Sequence, residues 1–361
     1  MNNISYSQMR ILETAECFKR LNIIFNECGN EQNAMGAQLK ETARLLEEAS
    51  GINLRDWDPE AKTEKKLKKK LASGGIKLSS IMIFKKEEGR IGIFVTARTI
   101  KHECIKAVCL AKVLSDFFGK DIVPARGSRM VITQTEEEFV FEEAARFFSL
   151  FGSSFVSKNK DRVSGDSFTF LNDYDGKSIV ALADGMGTGE KAGRTSNAVI
   201  ELLESFAETG FSQEAAVSLI NAAYAAKSEE NPVTLDCVDV SLLTGKCTIV
   251  KLGAAASYIK SRESVRVIQP SSLPAGMLED VKPDITTFEM KHGEYIILVS
   301  DGIADALPFF DKESYLARII DEIPAGNPKN MAEQIMDEVL LYLGDEYKDD
   351  MTVLVLGIWE Q

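Results

Sequence analysis

Between Ser7 and Cys28, apolar residues recur at Met9, Leu12, Phe18, Leu21, Phe25 and Cys28. That three-to-four spacing predicts one helical stripe, ended by Gly29-Asn30. A second stripe at Leu39, Ala43, Leu46 and Ala49 stops near Gly51, so residues 1–55 read as a helical arm. Residues 56–150 read as a small α/β regulatory unit. A charged helix near Pro59–Leu71 ends at Gly74-Gly75. Strands Ile76–Lys85 and Arg90–Thr96 flank a Glu-Glu-Gly turn at 87–89. A helix over His102–Phe118 stops at Gly119, and a strand around Met130–Thr135 closes the unit. The order α-β-β-α-β suits a ferredoxin-like layer.

After about Phe151 the strands come in pairs: Ser167–Leu171 with Ser178–Ala183, Cys237–Leu243 with Lys246–Leu252, and Ala256–Lys260 with Val265–Ile268. Asp175-Gly176 and Thr244-Gly245 are hairpin turns. Helices at Ala192–Thr209, Gln213–Lys227 and Pro328–Leu343 interrupt them, and strands Tyr295–Ser300 and Thr352–Ile358 come last. The pattern predicts an α+β fold in residues 151–361: two antiparallel sheets packed face to face, with helices outside. SSLPAGML, punctuated by Pro274 and Gly276, reads as a shaped loop.

Four aspartates sit where strands begin or end. Asp166 opens a strand in VSGDSF, and Asp184 ends SIVALA within DGMGTGE. Asp301 ends YIILVS, and Asp349 precedes TVLVLGI in KDDMT. An apolar strand ending in Asp-Gly lifts a carboxylate to the sheet rim, and the glycine lets the backbone approach a neighbour closely. One Asp-Gly is ordinarily a turn, but four such carboxylates on strand ends in one chain point to a metal site. Clustered carboxylates repel, and hard divalent cations remove that penalty. Oxygen-only ligands suit Mg²⁺ or Mn²⁺. DGMGTG lacks the lysine and the spacing of a P-loop.

Composition narrows the chemistry further. The only histidines are His102 and His292, so catalysis falls to carboxylates and metals. The six cysteines (Cys17, Cys28, Cys104, Cys109, Cys237, Cys247) form no CxxC, which argues against a zinc site or a disulfide framework and for mostly buried, reduced thiols. The net charge of −13 argues against a nucleic-acid partner. The basic run KTEKKLKKK, Lys62 to Lys70, reads as a solvated helix face. No apolar run approaches the roughly 20 residues of a membrane span, and the N-terminus lacks a secretory layout, so the expected location is cytoplasmic. A fragment cut from a membrane protein would look the same.

The blocks VSGDSF, ALADGMGTGEKA, VTLDCVDVSLL, KLGAAASYIK, SSLPAGML, LVSDGIADAL and KDDMTVLVL resemble those of the PPM, or type-2C, protein phosphatases, and within them the branch that acts in endospore formation. The resemblance implies an α-β-β-α sandwich with two Mn²⁺ or Mg²⁺ ions between its sheets. It implies Asp166, Asp184, the carbonyl of Gly185, Asp301 and Asp349 as ligands, with Asp350 a substitute for Asp349. It implies a phosphoserine substrate on an anti-anti-sigma factor, whose dephosphorylation frees a sporulation sigma factor. It further implies a homodimer, a contact with the division machinery through the N-terminal region, and a location at the inner membrane face or septum if the chain belongs to a longer membrane protein. The wider class places a phosphate-gripping arginine a few positions before the first aspartate. Here Asp161 stands five positions before Asp166, with Lys158, Lys160 and Arg162 near it, which leaves that role unassigned. The rival readings are a stress-response or sensory phosphatase of the same family and a catalytically weak septal scaffold.

Overall fold

The computed structural model describes residues 6–26, 39–40, 42–44, 46, 61–85, 91–101, 104–125, 127–158, 164–174, 176–187, 189–209, 211–225, 232–275, 277, 281–343, 347 and 349–361. The turn at 87–89, His102, Cys28, Gly29-Asn30, Gly276 and Lys160 to Arg162 lie outside them. By contacts the chain divides into two compact units, Met1–Leu12 with Glu48–Ala145, and Glu13–Glu47 with Arg146–Gln361.

The first unit contains helix α2 (Ala61–Ser73), β1 (Ile76–Lys85), β2 (Ile91–Thr99), β3 (Ile105–Lys106), α3 (Ala107–Phe118), β4 (Ile122–Pro124), β5 (Val131–Ile132) and β6 (Glu137–Glu143), while α1 (Tyr6–Asn26) begins the described chain. Its main sheet is antiparallel, in the order β1-β2-β6-β4. Leu67 and Leu71 of α2 and Leu110 and Leu114 of α3 pack on Ile81, Ile93, Val95, Phe139 and Phe141. Lys65, Lys66, Lys69 and Lys70 are exposed on the opposite side of α2, so the basic run is a solvated face. The strand expected over Met130–Thr135 is only the two-residue β5, paired with β3. The sheet strand is β6 instead. Its glutamates mask the alternation by which Phe139 and Phe141 alone enter the core.

The second unit is the sandwich. Its strands are β7 (Phe147–Val156), β8 (Asp166–Tyr174), β9 (Lys177–Gly185), β10 (Val233–Ser241), β11 (Lys246–Leu252), β12 (Ser257–Lys260), β13 (Val265–Ile268), β14 (Asp284–Glu289), β15 (Glu294–Val299) and β16 (Met351–Glu360). Its helices are α4 (Glu190–Glu208), α5 (Gln213–Ala225), α6 (Asp301–Asp305), α7 (Lys312–Glu322) and α8 (Pro328–Leu340). One sheet runs β14-β11-β10-β9-β8, the other β13-β12-β15-β16-β7. Helices α4 and α5 bury Val199, Leu203, Phe206, Val217 and Ile220 on the first sheet. Helices α7 and α8 bury Leu316, Ile320, Ile335 and Val339 on the second. Cys17 and Leu21 of α1, with Leu39, join the α4–α5 cluster, and Cys17 Sγ donates to the Ser205 carbonyl at 3.0 Å.

The inner faces meet through Phe151 stacked on Phe170, with centroids 4.3 Å apart, and through the Ser149 and Ser178 hydroxyls. A buried ion pair within the first sheet is also bonded from the second. Lys251 Nζ donates to Asp236 Oδ2, which also accepts from Ser257 Oγ on the facing sheet. Lys251 and Asp236 are each 1% exposed. Cys17, Cys237 and Cys247 are buried, but Cys104 and Cys109 are exposed, so burial of the thiols is only partial.

Candidate metal centre

Each sheet delivers acidic residues to the same end of the sandwich. On the first, β8 begins at Asp166 and β9 ends at Asp184-Gly185; their register places Asp166 directly opposite Asp184. On the second, β15 and β16 pair Val299 with Val353, so Asp301, just after β15, and Asp349-Asp350, just before β16, share an end. The glycine of each Asp-Gly is required by packing. An ideal Cβ on Gly185 would lie 2.5 Å from the Ala192 carbonyl oxygen of α4, and one on Gly302 only 2.1 Å from the Asp350 carbonyl oxygen.

Hydrogen bonds then tie the two edges together. Thr352 Oγ1 on β16 donates to Asp166 Oδ2 at 2.6 Å. The Asp350 carboxylate accepts from Ser157 Oγ (3.0 Å), Lys158 N (2.8 Å) and Gly165 N (2.6 Å). The Asp184 and Asp301 carboxyls come close enough across the sheets to perturb each other. This geometry separates the two adjacent aspartates. Asp350 is 7% exposed and its carboxylate is committed to fixing the segment before β8. Asp349 accepts only the adjacent Asp350 N–H, at 2.9 Å, among the bonds described, and its charge acts on Asp184 and Asp301.

Electrostatics show what this convergence costs. Burial first, then the charges of Asp166, Asp301 and Asp349, push Asp184 up to about 8. Burial raises Asp166 to about 6 against the bonds from Thr352 and Ser300, with Asp350 and Asp301 adding to the rise. Asp301 is raised by desolvation and then by Asp349 and Asp305, even though the residue is exposed at the rim. A cation held there would offset this clustered negative charge. The donor set, carboxylates with the Gly185 carbonyl beside them, is the all-oxygen set that hard divalent cations take. Among the described residues no three acidic side chains converge as a ready-made cage for one ion. The arrangement is two overlapping pairs, Asp166–Asp184 along one sheet and Asp184–Asp301 between sheets.

The SSLPAGML segment lies against this edge as a loop. Val233, paired with Gly185, exchanges two backbone hydrogen bonds with Ala275, at 3.1 and 2.8 Å. Asp284 accepts from the backbone and side chain of Ser271 and from Ser272 N, which holds its carboxyl down at about 2. Thr352, Ser300 and the clamp role of Asp350 escape a reading of the sequence. Thr352 stands inside the KDDMT block, but nothing in a lone Thr says that its hydroxyl crosses to another sheet.

A two-sheet α-β-β-α sandwich with acidic strand ends gathered at one edge defines a PP2C-type, or PPM, phosphatase. The comparisons agree. The family model "Stage II sporulation protein E (SpoIIE)" matches residues 174–359, and the chain belongs to that family. Stage II sporulation protein E of Priestia megaterium is 28% identical over 334 residues, covering 88% of this chain and 57% of the relative. That of Bacillus subtilis (strain 168) is 25% identical over 331 residues, covering 91% and 40%. The chain thus spans about half the length of the curated relatives it matches. The solved PP2C phosphatase domain and regulatory-domain fragment of the cell fate determinant SpoIIE from Bacillus subtilis superposes with a TM-score of 0.63 at 26% identity, over 83% of this chain and 87% of that one. No helix among the described residues is long and apolar enough to cross a membrane.

Proposed function

We propose that this chain is a metal-dependent protein serine phosphatase whose site is built by Asp166, Asp184, the Gly185 carbonyl, Asp301 and Asp349, with two Mn²⁺ or Mg²⁺ ions as cofactors. The observation that carries the reading is the convergence of carboxylates from both sheets, costly enough to raise Asp184 to about 8. Bound there, divalent cations supply positive charge for the phosphoryl oxygens and a water of lowered pKa. The chain's own part is positional. Thr352 fixes the rotamer of Asp166, Asp350 holds Gly165, and Asp184 and Asp301 would supply carboxylate ligands to the cations.

The substrate proposed is a phosphorylated anti-anti-sigma factor, whose dephosphorylation activates a sporulation sigma factor. Family membership supports this reading over a stress-response or sensory substrate. A homodimer, a contact with the division machinery through the N-terminal region, and attachment to a membrane through a longer chain belong to the same proposal. So does the division of labour into an arm (1–55), a regulatory α/β unit (56–150) and a phosphatase (151–361). The packing of Cys17 and Leu21 on α4 and α5 supports a regulatory role for the arm.

The test uses the full chain and Asp184→Asn. Wild type should release phosphate from the phosphorylated anti-anti-sigma factor only with Mn²⁺ or Mg²⁺, and Mn²⁺ should raise its melting temperature. Asp184→Asn should lose both responses while remaining folded by circular dichroism. Wild-type rates in this variant at limiting Mn²⁺ would refute the site. A wild-type protein inert toward every phosphoprotein would favour the septal scaffold.

A further inference from the structure

Met186, Leu273 and Met277 are 48%, 46% and 49% exposed. Single exposed apolar side chains are common on any protein surface. These three are joined through one backbone junction. Met186 N donates to the Pro232 carbonyl at 3.1 Å. The next residue, Val233, pairs with Gly185 on β9 and bonds twice to Ala275, which stands between Leu273 and Met277 in sequence. All three residues therefore stand near the end of β9 that carries Asp184, with their side chains half-exposed.

The backbone beneath them is fixed. Asp284 holds Ser271 and Ser272, and Ser272 Oγ donates to the Lys251 carbonyl and accepts from Gly253 N. Pro274 packs so tightly on Gly253 that a Cβ there would lie 2.4 Å from the proline nitrogen. The result is a preformed apolar rim. Two of its three members are methionines, the side chain that adapts most readily to a partner surface.

We propose that Met186, Leu273 and Met277 form an apolar collar that docks the protein substrate beside its phosphoserine. This rests on the phosphatase reading above. The occupant follows from position, because Met186 stands two residues after Asp184, at the strand end that a phosphoserine and its flanking chain would approach. A small aryl phosphate has no flanking chain and does not need the collar. The partner chemistry is a folded phosphoprotein that presents apolar side chains around the modified serine.

The experiment compares wild type, Met186→Ala, the pair Leu273→Ala/Met277→Ala, and Leu341→Ala as a control exposed at the end of α8. Each is assayed with Mn²⁺ on a phosphorylated anti-anti-sigma factor and on p-nitrophenyl phosphate. The ratio of the two kcat/KM values should fall at least tenfold in the collar variants, through KM for the phosphoprotein, and hold in Leu341→Ala. In parallel, fluorescence anisotropy with the same phosphoprotein in EDTA should show binding weakened at least tenfold by the collar variants. Equal losses on both substrates would mean that the residues act on the site itself and would overturn the proposal. An unchanged ratio with unchanged anisotropy would do the same. If wild type hydrolysed neither substrate, the phosphatase reading would fail, and the anisotropy series would still decide the collar.

Discussion

Replacing Lys251 by Met removes the positive half of the buried ion pair between β10 and β11. Both partners are 1% exposed, and Asp236 already leaves Oδ1 without a hydrogen-bond partner, the one such buried side-chain atom among the described residues. After the change its carboxylate keeps only the Ser257 hydroxyl. Breaking a buried pair by removing one partner costs about 3–5 kcal/mol, because the remaining charge stays desolvated. At about 2–4 °C per kcal/mol for a unit of this size, the sandwich should melt roughly 6–20 °C lower at pH 8. Adding Asp236→Leu should recover much of the loss, since an apolar pair leaves no orphaned charge. Calorimetry of the single and double variants at pH 8 measures both effects. A penalty below about 1 kcal/mol, or single-variant costs that simply add, would show that the pair does not stabilise the sandwich.

Two further outcomes follow from the site edge. Asp349→Asn should weaken Mn²⁺ binding in calorimetric titration and leave melting in EDTA nearly unchanged. Asp350→Ala should lower melting in EDTA by about 1–3 kcal/mol equivalent, because Gly165 N and Lys158 N lose their acceptor. The reverse pattern would exchange the roles assigned to the two residues. Asp284 has a depressed folded pKa, so its stabilisation is complete above the unfolded value near 3.9 and is lost as pH falls through about 2. Hydrogen exchange at Ser271 and Ser272 should accelerate across that acid window in wild type and be fast at all pH values in Asp284→Ala; protection that ignores both would show that the carboxylate does not hold the loop.

The sandwich was legible where alternation and turns were strong. Lys246–Leu252 and Val265–Ile268 have the bounds their patterns predict, and the Asp-Gly steps mark the correct strand ends. Strand β7 was not legible, because FFSLFGSSFV mixes a buried and an exposed aromatic on neighbouring positions, as an edge strand beside a second sheet requires. Strand β14 and helices α6 and α7 were missed because DITTFE, DGIAD and KESYLARIIDE are short and polar, and tertiary packing decides their form. At the site, sequence supplied the carboxylates, and only the resemblance favoured Asp349 over Asp350. That choice depends on which one faces the Gly165 amide, a contact 185 residues apart along the chain.

The bare Cα of Gly185 bears on the mechanics of the enzyme. Ordinary side chains between a helix and a loop act as cushions: they change rotamer and absorb small displacements before the backbone beyond them moves. Between Ala192 and Gly185 there is no such layer, since even a methyl group would stand 2.5 Å from the helix carbonyl. The first turn of α4 and the peptide after Asp184 are therefore one stiff linkage. Whatever grips α4 on its outer side, where Cys17 and Arg20 of α1 already reach Ser205, holds the loop that carries the acid without touching it.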